Sequence, residues 1–338
     1  MYCRFFIPFS GTEGHTVKTR IGWQSHNSPS SPASSEYSHS HILAAALSHS
    51  TRRTYSAAIK SVYSFIRRAH PKALLFPAAS KYIIAYITFA SNRGLSPSTI
   101  TSQLSVVSYL HKLASLPDPN QRFLIQKMLA GARKLKPQSD VRLPITPNIL
   151  RLLIQAVDAT AEAPYYNVML KAMFLLAFHA LLRVGEFTTT STSGQQHTLQ
   201  HKDVQLVSRE ETFSLLVTMH SFKHSRQPTS LDIAPQRGPL CPVTAYQNYM
   251  LVRGKQQGPL FMFPNHAPVT RNFFINQLNS ALRWAKLDPR YYKGHGFRLG
   301  AATTAAANGM SEPQIEAMGR WHSKAYKKYI RIPTLSLI

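Results

Sequence analysis

The sequence predicts an α+β chain that is mainly helical, with an all-helical first domain and a second domain whose helices are interrupted by a small antiparallel sheet. Three observations carry this reading. Apolar residues recur at the 3.6-residue helical period over most of the chain. One stretch, residues 198–234, changes to short runs rich in branched residues. An aperiodic segment with two prolines, Leu135 to Pro144, separates two helical blocks and reads as a linker. At 338 residues the chain is long enough for two domains, each with its own core.

The elements follow in order. Residues 1–40 contain Asn27-Ser-Pro-Ser-Ser-Pro-Ala-Ser-Ser and Ser/His alternation, too little apolar surface to fold alone, and are expected to form a disordered tail. From Ser50, Tyr55, Ile59, Val62, Tyr63 and Ile66 fall on one helical face, while Arg52, Arg53, Lys60, Arg67 and Arg68 lie elsewhere. A second helix is predicted from Lys81 to Asn92, capped by Ser80 and stopped by Gly94. A third starts at Ser96-Pro97 and turns Ile100, Leu104, Val107 and Leu110 inward. A fourth spans Gln121 to Lys134. These make a helical domain over 41–136, with 137–145 as linker and 146–338 as the second domain.

In that second domain Thr146-Pro147 opens a helix, and an apolar helix from Tyr165 to Arg183 is expected to be deeply buried. Strands are predicted at Val204–Val207, Phe213–Met219 and Ser230–Ile233. Helices return at Pro242–Val252, Thr270–Lys286, Phe297–Asn308, Glu312–Met318 and Lys324–Arg331. Ser311 with Gln314 has capping-box spacing, and Asn308-Gly309 reads as a helix stop.

Lys plus Arg outnumber Asp plus Glu by 39 to 14, a formal net charge of +25, so the chain calls for an anionic partner, and nucleic acid fits best. The longest apolar run, Ala172 to Leu182, is too short to span a bilayer, and the N-terminus lacks the apolar core of a signal peptide. Cys3 and Cys241 suffice neither for a disulfide framework nor for a four-ligand zinc site, which fits an intracellular setting. His220 and His224 have metal-like spacing, but with no carboxylate or thiol partner in view no metal is expected there. No phosphate loop with Lys-Ser or Lys-Thr occurs, and no cofactor is implied.

Three segments carry chemistry. Arg183, in Ala180-Leu-Leu-Arg183-Val-Gly-Glu186, ends the most apolar helix and needs a partner or ligand; Glu186 is within reach to orient it, and a purely structural ion pair is the rival reading. In Gly294-His295-Gly-Phe-Arg298, the His and Arg share the face of a helix start, where the helix dipole also favours an anion; the bland alternative is a turn histidine and a surface arginine. The third is Gly319-Arg320-Trp321-His322-Ser-Lys-Ala-Tyr326-Lys-Lys-Tyr329-Ile-Arg331.

With this third segment the chain resembles the tyrosine recombinases of the phage-integrase family, and its wording resembles the branch found in eukaryotic Crypton and DIRS elements. The order agrees: Arg with Glu, Lys on a hairpin, His-x-x-Arg, Trp, Tyr. The likeness runs from Ser50, because Ser50-Thr-Arg-Arg-Thr-Tyr55 and Leu95-Ser-Pro-Ser-Thr-Ile100 resemble the core-binding domain of the same enzymes.

The resemblance implies a core-binding domain followed by a recombinase catalytic domain, clamped around duplex DNA. Tyr329 would attack phosphorus to give a 3′-phosphotyrosyl link, with His295 moving its proton and Lys223 protonating the leaving 5′ oxygen. Lys223 as a plain loop charge is the alternative. Arg183 and Arg298 would clamp the phosphate with bidentate forks, doing what metal ions do in carboxylate-rich nucleases. Trp321 would pack beside the phosphate. Many members place His or Trp nine residues before the nucleophile; here Arg320 stands there, with Trp321 and His322 following, so that role stays open among the three. Tyr326 is the competing nucleophile, and spacing with the trailing Ile330-Arg331 selects Tyr329.

Arg52, Arg53, Lys60, Arg67, Arg133, Lys134 and Lys136 are the candidate phosphate contacts of the helical domain. The partner implied is double-stranded DNA, with a monomer when free and a homo-tetramer on synapsed DNA, nuclear if the host is eukaryotic. A different class of function is a domesticated transposon remnant that binds DNA without cutting it; the joint presence of Arg183, Lys223, His295, Arg298 and Tyr329 favours the enzyme. A type IB topoisomerase is a third reading, separable by plasmid relaxation.

Overall fold

The computed structural model describes residues 4–5, 21–22, 42–43, 45–137, 140–190, 198–209, 212–220, 228–321, 326–327 and 329–330. The chain divides into two compact units, Met1–Ser139 and Asp140–Ile338. The architecture is mainly helical with a small three-stranded antiparallel sheet in the second unit, as the sequence predicts. Within residues 1–40 the described part is a two-residue antiparallel pairing of Arg4–Phe5 with Ile21–Gly22.

The long helices among the described residues of the first unit are α1 (His49–Ala69), α2 (Ser80–Asn92), α3 (Pro97–Leu113) and α4 (Phe123–Leu135). Two of them start as the residue types dictate. Ser48 and Ser96 accept from the backbone N–H of Thr51 and Thr99, satisfying donors that the first helical turn leaves open. The inward stripes meet in one core of Val62, Ile66, Ile83, Ile87, Ile100, Leu104 and Ile125. The second helix is capped at Ala79 rather than Ser80, and the fourth begins at Phe123, after a 3-10 turn over Pro119–Gln121.

The second unit is built on α5 (Pro147–Thr160), α6 (Pro164–His179) and the one-turn α7 (Val184–Phe187). A three-stranded sheet follows, β1 (Val204–Arg209), β2 (Thr212–Met219) and β3 (Thr229–Ile233), in the order β1-β2-β3. Leu206 lies opposite Leu215, and Val217 opposite Leu231. Then come α8 (Pro242–Arg253), α9 (Arg271–Trp284), α10 (Gly296–Ala307) and α11 (Glu312–Gly319). Buried from Ala172 to Phe178 without a polar break, α6 is the central helix, packed by α5, α8 and α10.

Two expectations need correction. The apolar helix ends at His179, not Arg183, and Leu181 adopts a left-handed φ of 47°. Arg183 therefore caps the next helix instead of closing the previous one. The sequence predicts a helix over Lys324–Arg331, but among the described residues Tyr326 and Lys327 form a 3-10 turn and Tyr329 lies in a turn closed by its N–H on the Tyr326 carbonyl at 2.7 Å. Lysines and tyrosines at i and i+3 suit either turn, so side-chain pattern alone does not separate them.

Candidate active site

The site grows from the end of α6. A helix C-terminus leaves carbonyls without intrahelical partners and carries the negative end of the dipole. Here two arginines from elsewhere satisfy those carbonyls. Arg320 Nη1 donates to the Ala180 carbonyl at 3.1 Å, and the Leu181 carbonyl accepts from both Arg320 Nη2 at 3.2 Å and Arg298 Nη1 at 2.5 Å. Leu181 in the left-handed region costs about 1 kcal/mol, a local strain at the point where the chain breaks from α6.

Arg183 follows immediately. Its backbone N–H donates to Glu186 Oε2 at 2.9 Å and its Nη1 to Glu186 Oε1 at 2.8 Å, so one carboxylate caps α7 and orients the guanidinium. Glu186 Oε2 also takes Arg320 Nη2 at 2.9 Å. The Glu186 side chain is 13% exposed, Arg183 25% and Arg320 1%, which places the charges at the floor of the site with Arg183 nearest to solvent.

Arg298 arrives on α10, whose small residues permit close approach. A Cβ on Gly300 would lie 1.8 Å from the Ile145 carbonyl, and one on Gly294 would lie 2.3 Å from Val184 Cγ2. Arg298 is wholly buried, and its Nη2 donates to the Gly319 carbonyl. Trp321 stacks on it, with the guanidinium carbon 4.2 Å from the ring centroid and 5.6 Å from that of Tyr329. The absence of a Cβ at Gly319 makes that stacking possible, since it would meet Trp321 Cζ3 at 1.6 Å. Burial lowers the Arg298 pKa, and the positive charges of Arg183 and Arg320 lower it further. Arg320 is held down chiefly by its own burial, against the opposing pull of Glu186.

Tyr329 lies in the middle. Its ring centroid is 4.9 Å from Trp321 and 4.7 Å from His295, and its carbonyl accepts from Thr303 Oγ1 of α10 at 3.2 Å. His295 stands at the N-cap position of α10, three residues before Arg298. Its pKa is pushed down to about 4 by burial, then by Arg142, Arg298 and Arg183, with Asp140 opposing, so the imidazole is neutral near pH 7. Tyr326 is placed differently: its hydroxyl donates to Glu312 Oε2, and that hydrogen bond, with burial, raises its pKa to about 12.

Three buried donors here, Arg298 Nε, Arg320 Nε and Trp321 Nε1, have no acceptor among the described residues. Three guanidiniums face one carboxylate. Each buried donor left unmade costs about 1–3 kcal/mol, and the excess positive charge compounds it, so the chemistry of the donor set fits a phosphate-like anion.

Arg183, Glu186, His295, Arg298, Trp321 and Tyr329 are thus brought together. Lys223 falls in 221–227, outside the described residues, as do His224, His322 and Arg331. Of the neighbours competing for the position beside the phosphate, Arg320 turns inward to α6 and Glu186, and Trp321 lies against Arg298 and Tyr329. His220 does have a carboxylate neighbour, Asp203 Oδ1 at 3.2 Å, where none is in view from the sequence. Among the described residues no group of three His, Cys, Asp or Glu side chains is placed to hold a metal, and no helix is long and apolar enough to cross a membrane. In the first unit Arg53, Lys60, Arg67, Arg133, Lys134 and Lys136 are exposed and Arg52 is half-buried; Lys136 Nζ donates to the Gly94 carbonyl.

Sequence reasoning missed Arg142 and the Leu181 carbonyl. Arg142 is joined to Asp140 through Nε at 2.6 Å and Nη2 at 2.8 Å. The segment behind it is fixed to the site by Leu143 N–H on the Tyr291 carbonyl and Ile145 N–H on the Gly296 carbonyl, both at 2.9 Å. Only its basic character inside the linker signalled it.

Solved structures with this arrangement of elements are found. A lambda integrase dimer bound to a COC′ core site matches with a TM-score of 0.58 at 15% identity, covering 86% of this chain and 74% of that one. XerH recombinase bound to its difH substrate matches at 0.55 and 11%, covering 83% and 76%. The Tn1549 transposon integrase in complex with transposon right-end DNA matches at 0.57 and 13%, covering 85% and 91%. The chain has the tyrosine recombinase fold. No family profile and no curated protein matches its sequence.

Proposed function

We propose that this chain is a tyrosine-type DNA recombinase, cutting and rejoining duplex DNA through a 3′-phosphotyrosyl intermediate. The observation that carries the proposal is Tyr329 held among His295, Trp321 and Arg298, with Arg298 tied through Leu181 and Arg320 to the Arg183–Glu186 pair. In the reaction the Tyr329 oxygen bonds to phosphorus while the P–O5′ bond breaks. Charge building on the nonbridging oxygens meets Arg183, Arg298 and the Trp321 N–H, donors already in place and partly desolvated. Neutral His295 takes the phenol proton. Lys223 is assigned the proton for the 5′ oxygen on the resemblance alone. The solved relatives bound to DNA, and the lambda integrase tetramer on a Holliday junction (TM-score 0.59, 15% identity), support duplex DNA as substrate and assembly of four copies.

The test incubates purified protein with duplexes carrying the DNA that flanks its coding region, nicked to trap the covalent product. A protein–DNA adduct is expected from the wild type and none from Tyr329→Phe. Retention of the same DNA with no adduct from the wild type would assign the chain to idle, transposon-derived DNA binding instead.

A further inference from the structure

Arg320 differs from the other two guanidiniums of the site. It is 3% exposed, in a left-handed backbone (φ 54°, ψ 46°) that closes α11, and both its Nη atoms are committed to protein acceptors: Ala180, Leu181 and Glu186. Its fork therefore does not reach for a ligand, and only its Nε is left without an acceptor among the described residues. Each acceptor is nonetheless shared with, or adjoins, a group that does. Glu186 gives Oε2 to Arg320 and Oε1 to Arg183, and the Leu181 carbonyl serves Arg320 and Arg298 together.

We propose that Arg320 is a positioning residue that acts through Glu186 and Leu181: it draws part of the carboxylate away from Arg183 and fixes Arg183 and Arg298 at one spacing. This rests on the reading of those two arginines as the phosphate clamp. A carboxylate shared by two guanidiniums neutralises neither fully, so Arg183 stays oriented yet keeps charge for a ligand. Without Arg320 the whole carboxylate falls on Arg183, which becomes a closed ion pair, and the Leu181 carbonyl loses one of its two donors. Lysine at 320 supplies the charge but lacks the planar fork that spans two carbonyls and a carboxylate.

The experiment measures inorganic phosphate affinity of the full chain by Trp321 fluorescence, with Trp23 and Trp284 replaced by Phe, beside the covalent adduct rate. Arg320→Met is expected to weaken phosphate binding about tenfold, the value of one charge-assisted hydrogen bond, with Arg320→Lys in between. Adding Glu186→Gln to Arg320→Met should recover affinity, because the carboxylate that captures Arg183 is neutralised. A scaffold role alone gives the opposite, losses that add. Unchanged affinity in Arg320→Met, or no recovery in the double variant, overturns the inference. If Arg320→Met does not fold, Arg320→Lys with and without Glu186→Gln decides by the same two signs. Failure of the underlying reading looks different: the parent protein itself shows no saturable phosphate response and no Tyr329-dependent adduct.

Discussion

Two buried arginines of the second unit are built in opposite ways. Arg253, at the end of α8, is 4% exposed and gives every nitrogen to main-chain carbonyls: Nε to Leu260, Nη1 to Gly254 and Gln256, Nη2 to Pro259. Arg298 has two carbonyls, a buried Nε with no acceptor among the described residues, two aromatic rings on its face, and two like charges nearby. The first arginine closes a loop and is finished. The second holds back hydrogen-bonding capacity and charge where both are costly, the pattern expected where folding has been compromised for a ligand.

The contrast breaks most directly by exchanging each arginine for Met. Arg298→Met should cut the rate of covalent adduct formation by about 10²–10³, the usual effect of removing a preorganised charge donor, while keeping most DNA affinity. Arg253→Met should do the reverse. It leaves several buried carbonyls unpaired and should cost about 3 kcal/mol in urea unfolding, with the rate per folded molecule unchanged. Equal effects of the two substitutions on rate and stability would abolish the distinction.

A smaller effect sharpens it through pH. The folded His295 pKa of about 4 lies below the unfolded 6.5, so between those values the unfolded chain binds more protons. This contribution is whole above pH 6.5 and declines as pH falls toward 4. Urea unfolding at pH 7.5 and pH 5 should show the wild type losing about 1 kcal/mol more than His295→Gln, after allowance for solvent screening of a half-buried ring. His201, which donates its backbone N–H to Gly258 of the Arg253 loop and is held down by burial and by Arg253, adds a slope of the same sign, common to the wild type and His295→Gln. The smallest effect is expected from Tyr326→Phe, whose ring would still pack near Trp321 and whose hydroxyl is committed to Glu312: adduct yield should equal the wild type's within about twofold. Loss of the adduct there would move the nucleophile.

Much of this was legible from residue order. The inward stripes of α1 and α3 follow from periodicity, because burying one face fixes which residues repeat, and the three strands from short runs rich in branched residues. Arg183 with Glu186, and His295 with Arg298, were legible because their spacings are local. What stayed hidden is where chains meet. Nothing in Ala180-Leu181-Leu182 announces a helix stop: no Gly, Pro or Asn stands there, and the apolar run continues past His179. The direction of Arg320 was equally invisible, because a left-handed residue turns its side chain against the helical order that pattern reading assumes. Arg142 lay in a segment read as linker, and only the hydrogen bonds of Leu143 and Ile145 bring it to His295.

The Leu181 carbonyl carries one more lesson. Since Arg298 and Arg320 converge on a main-chain oxygen, no codon change deletes their common anchor; only an amide-to-ester replacement at the next peptide link, Leu182, would weaken it. The hydrogen bonds thus place no demand on the side chain at position 181, which answers only to burial and its left-handed backbone. A cluster of arginines hung on backbone atoms in this way leaves little trace in residue-by-residue comparison, and is better sought by shape than by spelling.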